Sequence, residues 1–149
     1  MKIRILFFLL SIAFSFPSRA ITCYFTLAKD SCWINYNVSV DVIDSLTETI
    51  LTTISVPKGK AWTRQTFDCK PAQSLRYVAR FTPVFWEKDV GKTYNAIRSW
   101  SLPEKINPGD VAWNVSVCYA KDFSLVPFPP DASGNCSCDF DSIPKIKVS

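Results

Sequence analysis

The chain has 149 residues, 48% of them apolar and 14% aromatic, with 17 basic against 13 acidic side chains and a formal charge of +4. It contains no histidine, which excludes Ser-His-Asp and Cys-His catalysis and every metal site that uses an imidazole. Six cysteines, an even number, point to disulfides formed in an oxidising compartment.

Taken from the start, Met1-Lys2-Ile3-Arg4 is basic, Ile5 to Phe16 is apolar apart from two serines, and Pro17-Ser18-Arg19-Ala20 follows. This is the pattern of a secretory signal, so residues 1–20 are expected to be removed and the mature chain to begin at Ile21. The apolar run is shorter than the ~20 residues that a membrane span needs. Loss of Lys2, Arg4 and Arg19 lowers the formal charge from +4 to +1, which leaves no bulk electrostatic case for nucleic acid or an anionic membrane. The expected location is periplasmic or secreted.

Ile21 to Leu27 is a β-rich run that ends in a turn at Ala28-Lys29-Asp30-Ser31. Ile34, Tyr36, Val38, Val40 and Val42 then alternate with polar residues, which predicts a half-buried antiparallel strand. Glu48 to Val56 resumes with Ile50, Ile54 and Val56 in one phase, and Pro57-Lys58-Gly59-Lys60 is a turn. Ala61 to Asp68 is a shorter strand whose Trp62 and Phe67 fall on opposite faces.

Ser74 to Leu102 is the densest aromatic stretch and reads as the main hairpin. In its first arm Leu75, Tyr77, Ala79, Phe81 and Phe85 share a face, and Arg76 and Arg80 share the other. Pro83 cannot donate a ladder hydrogen bond, which predicts an edge strand or a bulge there. In the second arm, Thr93 to Leu102, Arg98 shares phase with Tyr94 and Trp100, so the three cannot all be core without a bulge. Asn107-Pro108-Gly109-Asp110 is a turn, and Val111 to Val117 alternates again. About seven short strands without an amphipathic helix predict an all-β fold, an antiparallel β-sandwich with an Ig-like arrangement over residues 21–123, with a small barrel as the alternative. Residues 124–149, with Pro127, Pro129 and Pro130, read as a Pro-rich irregular tail tethered by disulfides.

Sequence alone does not choose among the pairings of Cys23, Cys32, Cys69, Cys118, Cys136 and Cys138. Apparent strand ends favour Cys69 with Cys118, and the first turn favours Cys23 with Cys32. That leaves Cys136 and Cys138 joined across one serine, a strained loop, so the tail is also suspected of reaching back to Cys23 or Cys32. A redox pair or thiolate metal site at Cys136-Ser137-Cys138 is the less favoured reading.

No catalytic motif and no cofactor-binding pattern stands out. The best positive signal is the set of five tryptophans beside strand arginines. Trp62, Arg64, Arg76, Arg80 and Trp86 are the candidate binding residues, as a basic aromatic platform for sugar rings, anionic glycans or a protein partner.

Val56 to Cys69 (VPKGKAWTRQTFDC), Pro83 to Tyr94 (PVFWEKDVGKTY) and Trp100 to Tyr119 (WSLPEKINPGDVAWNVSVCY) resemble a family of small exported proteins of intracellular Gram-negative bacteria. The resemblance implies export and carries no activity or functional residues. The expected role is non-enzymatic recognition of a protein partner, with a carbohydrate-binding module as the alternative.

Overall fold

Alternation at period two governs the strands, and the faces it creates pack into two sheets. The computed structural model describes residues 12–15 and 19–147, so most of the expected signal, residues 1–20, lies outside the described residues. Among the described residues, no helix is long and apolar enough to cross a membrane.

The described residues form eight strands in chain order: β1 (Ile21–Lys29), β2 (Asn37–Asp44), β3 (Ile50–Val56), β4 (Trp62–Cys69), β5 (Ser74–Thr82), β6 (Tyr94–Asn95), β7 (Trp100–Ser101) and β8 (Ala112–Tyr119). One sheet has the order β4-β1-β8, with β1 antiparallel to β4 and parallel to β8. The other runs β3-β2-β5-β6, and β7 also pairs with β5. The fold is therefore the expected β-sandwich, with one parallel strand pair inside it.

Phe25, Leu27, Val38, Val40, Val42, Ile54, Leu75, Ala79 and Val115 are fully buried between the sheets. One end of this core is aromatic: Trp33 meets Phe81 at 4.6 Å, Tyr119 at 4.9 Å and Phe85 at 5.7 Å between ring centroids. Trp33 arrives there on a short 3-10 helix, Ser31–Trp33, capped by the Asp30 carboxylate, which accepts from the Cys32 amide. Ile34 and Tyr36 belong to the turn that follows, so the predicted strand starts only at Asn37.

The predicted hairpin needs correction. β5 lies between β2 and β6, but β6 reaches only Val78 and Ala79, so the last residues of β5 pair with β2 alone and Pro83 ends the strand at a local edge, without a bulge. The second arm survives only as the two short strands β6 and β7. Between them the chain leaves the sheet, which buries Tyr94 and leaves Arg98 exposed, and so resolves their shared phase.

The disulfides are Cys23–Cys69, Cys32–Cys136 and Cys118–Cys138. The favoured Cys69–Cys118 pair is excluded by topology. β1 separates β4 from β8, and Cys69 faces inward with Phe67 while Cys118 has the opposite phase from Val115, Val117 and Tyr119. Cys23 instead bridges diagonally to Cys69 across the β1–β4 ladder, where Ile21 opposes Cys69 and Cys23 opposes Phe67. The expected Cys23–Cys32 pair does not form either: Cys136 takes Cys32, as suspected from the strain of joining Cys136 to Cys138, while Cys138 is bonded to Cys118, a pairing the sequence did not suggest.

Candidate functional site

The outer face of the three-stranded sheet carries the side chains that the alternation turns away from the core: Thr22, Tyr24 and Thr26 on β1, Trp62, Arg64, Thr66 and, at the far end opposite Thr22, Asp68 on β4, and Asn114 and Ser116 on β8. Part of this face is covered. After Cys138, the tail brings Phe140 and Ile143 over it, and Ile143 is 7% exposed.

Between tail and sheet lies a groove of about 450 Å³, with Tyr24, Thr26, Arg64 and Trp113 on the sheet side and Ile143 and Lys145 on the tail side. At Tyr24 and Arg64 it opens into a shallower depression of about 510 Å³ bordered by Trp62, Gln65 and Thr66. The Arg64 guanidinium stands 5.5 Å from the Trp62 ring centroid, and its Nε donates to Thr26 Oγ1 at 2.9 Å. Indole and hydroxyl thus fix the guanidinium plane. Among the described residues, no carboxylate forms an ion pair with Arg64 or Lys145. The result is a cationic groove with aromatic walls, suited to an anionic group on a ligand that also offers a flat or apolar surface.

The five predicted binding residues do not form one platform. Trp62 and Arg64 belong to this groove. Arg76 and Arg80 lie on β5, on the outer face of the other sheet, and each has an anionic partner. Arg76 Nε donates to Glu48 at 3.2 Å, and Arg80 donates both Nη atoms to Asp41, at 2.8 and 3.3 Å. Burial pushes the Asp41 carboxyl up, and hydrogen bonds from Arg80 and Thr53 more than offset this, holding it below the ordinary range. Trp86 is 52% exposed in the loop after β5, edge-on to Phe85 at 5.8 Å. The separation follows from sheet membership, since outward side chains of β4 and β5 leave opposite sides of a two-layer sandwich.

Sequence reading missed Tyr24, Trp113 and Lys145. The opposite phases of Trp62 and Phe67 were the visible signal that Trp62 and Arg64 point outward. Nothing local marks where a tail will fold back.

Cys136 and Cys138 stand in two separate disulfides, which removes the dithiol reading. Asp30, Cys32 and Cys136 bring ligand-type atoms within 4.8 Å, but both sulfurs are in one disulfide. The Asp30 carboxylate is engaged by the amides of Cys32 and Ala120 at 2.9 and 3.2 Å. Burial raises its pKa, and those two amide bonds act against the rise. The three disulfides are compatible with an extracellular or periplasmic protein.

No protein-family model, no curated protein and no solved structure matches this chain.

Proposed function

We propose that this is an exported, non-enzymatic recognition protein that binds an extended acidic segment of a protein partner in the groove between the three-stranded sheet and the tail. The observation that carries the reading is Arg64, stacked on Trp62, tied to Thr26 and without a carboxylate partner among the described residues. A guanidinium held in this way has Nη donors free for a carboxylate, and its rigid placement lowers the entropic cost of binding one.

A peptide is favoured over a sugar because β4 ends its sheet. Its outer edge offers unpaired backbone donors and acceptors beside Arg64, which an extended chain matches. Tyr24 and Trp62 also suit a sugar ring, and an acidic glycan is the second reading.

The test is affinity capture from the native compartment with the tagged mature chain, followed by affinity measurement on the captured partner. Arg64→Ala and Trp62→Ala are each expected to weaken binding roughly tenfold, the scale of one charge-assisted hydrogen bond or stacked cation. The double variant Arg76→Ala/Arg80→Ala is expected to bind normally. Capture of an acidic polysaccharide that depends on the same two residues replaces the protein reading with the glycan one. Binding lost in the double variant and retained without Arg64 overturns both.

A further inference from the structure

A second cleft lies on the other side of β8, where the 96–100 segment faces the strand. Its volume is about 290 Å³, close to the lower end of pockets that hold small molecules. Ile97, Trp100 and Val117 supply apolar walls, and Ile97 and Trp100 are 63% and 40% exposed. The segment is anchored: the Ala96 amide donates to the Tyr77 carbonyl and the Ile97 amide to the Asp122 carbonyl, both at 2.9 Å.

Tyr77 lines this cleft at 2% exposure, with its ring against Phe25 at 5.3 Å, and its hydroxyl has no hydrogen-bond partner. A phenylalanine there keeps the ring packing and avoids the cost of an unpaired buried hydroxyl. At the rim, Arg98 and Lys121 stand against one acid, Asp122, whose carboxylate is engaged by the Cys118 amide at 2.7 Å. Neither cation forms an ion pair among the described residues.

We infer that this cleft binds a one-ring aromatic carboxylic acid that carries an oxygen substituent at its far end. The ring lies between Trp100, Ile97 and Val117, the carboxylate meets Arg98 and Lys121, and the far oxygen pairs with the Tyr77 hydroxyl. The Tyr77 hydroxyl has no accessible surface in this structure, so exposed Ile97 and Trp100 are the side chains that must yield for the ligand's far oxygen to reach it. The cleft lies across β8 from the Arg64 groove, and Ser116 is the one lining residue they share.

The experiment titrates the mature protein with 4-hydroxybenzoate and with benzoate at millimolar concentrations, following ligand NMR signals and tryptophan fluorescence. 4-Hydroxybenzoate is expected to bind saturably and more tightly than benzoate. Tyr77→Phe is expected to weaken 4-hydroxybenzoate about fivefold, the worth of one hydrogen bond, and to leave benzoate unchanged. The same variant is expected to melt at a higher temperature without ligand. Tyr119→Phe, which removes the other buried unpartnered hydroxyl, serves as the control: it is expected to raise the melting temperature and leave binding intact. Arg98→Ala is expected to weaken both acids. Absence of saturable binding, or equal affinity of wild type and Tyr77→Phe for 4-hydroxybenzoate, overturns the proposal.

Discussion

Lys29 ties two turns together through its ammonium group. Its Nζ donates to the carbonyls of Tyr36 at 2.7 Å and Pro57 at 2.9 Å, joining the approach to β2 with the turn after β3. The side chain is buried, its acceptors are neutral, and burial lowers its pKa from 10.5 to about 8. In the unfolded chain the same lysine keeps its proton up to the ordinary value. Between these two values the unfolded state therefore holds more protons, and stability rises with pH. Above pH 10 the sign reverses, because burial raises the pKa of Tyr77 and Tyr119 and unfolding releases their protons. Denaturant titrations are expected to show stability climbing by about 2 kcal/mol from pH 8 to 10 and then falling. Lys29→Met is expected to flatten the climb, and a flat wild-type profile contradicts this account. At this scale the sequence was a poor guide, because Lys29 reads as a turn residue and only the converging carbonyls explain a lysine inside.

Strand elements were legible where alternation is uninterrupted. Val38, Val40 and Val42 of β2 and Leu75, Tyr77, Ala79 and Phe81 of β5 are all buried, as their period demands. In β3 the alternation breaks at a bulge. Val42 pairs with Thr52 but Ile43 pairs with Ile50, so Leu51 is an extra residue and the phase before it flips. Ile54 is fully buried whereas Ile50 is 55% exposed, although their spacing puts them on one face. Ile54→Ala is expected to cost about 2–5 kcal/mol in equilibrium unfolding, and Ile50→Ala no more than ~0.5 kcal/mol. Similar losses at both positions contradict the bulge. The second arm of the hairpin was illegible for a related reason: its residues have strand propensity, but the segment between Asn95 and Trp100 turns toward residue 122 and leaves the sheet.

For the whole molecule, the sandwich followed from strands that each have one apolar face to bury, whereas the groove depends on contacts distant in sequence. Arg64 reaches Thr26 across 38 positions, and the tail is held to the first turn by a disulfide spanning 104. Neither leaves a local pattern. The tail is therefore the part of the candidate site with the most to test. Cys118–Cys138 lies just before Phe140 and Ile143, and among the described residues the only backbone hydrogen bond within 139–147 runs from the Ile143 amide to the Phe140 carbonyl. The disulfide and the Ile143 contact must then hold the tail-side wall over the sheet. Cys118→Ser/Cys138→Ser, with the other two disulfides intact, is expected to lower stability by roughly 3 kcal/mol, as for opening a loop of comparable length. The core should still unfold in one transition, since its buried residues lie between the sheets and not under the tail. Limited proteolysis should then cut within residues 139–147 much faster than in the oxidised wild type, and partner binding through Arg64 should weaken with it. Unchanged protease resistance means that the apolar contact of Ile143 suffices to hold the wall. Increased cleavage with unchanged binding removes the tail from the recognition surface and leaves the sheet face and the β4 edge to carry it.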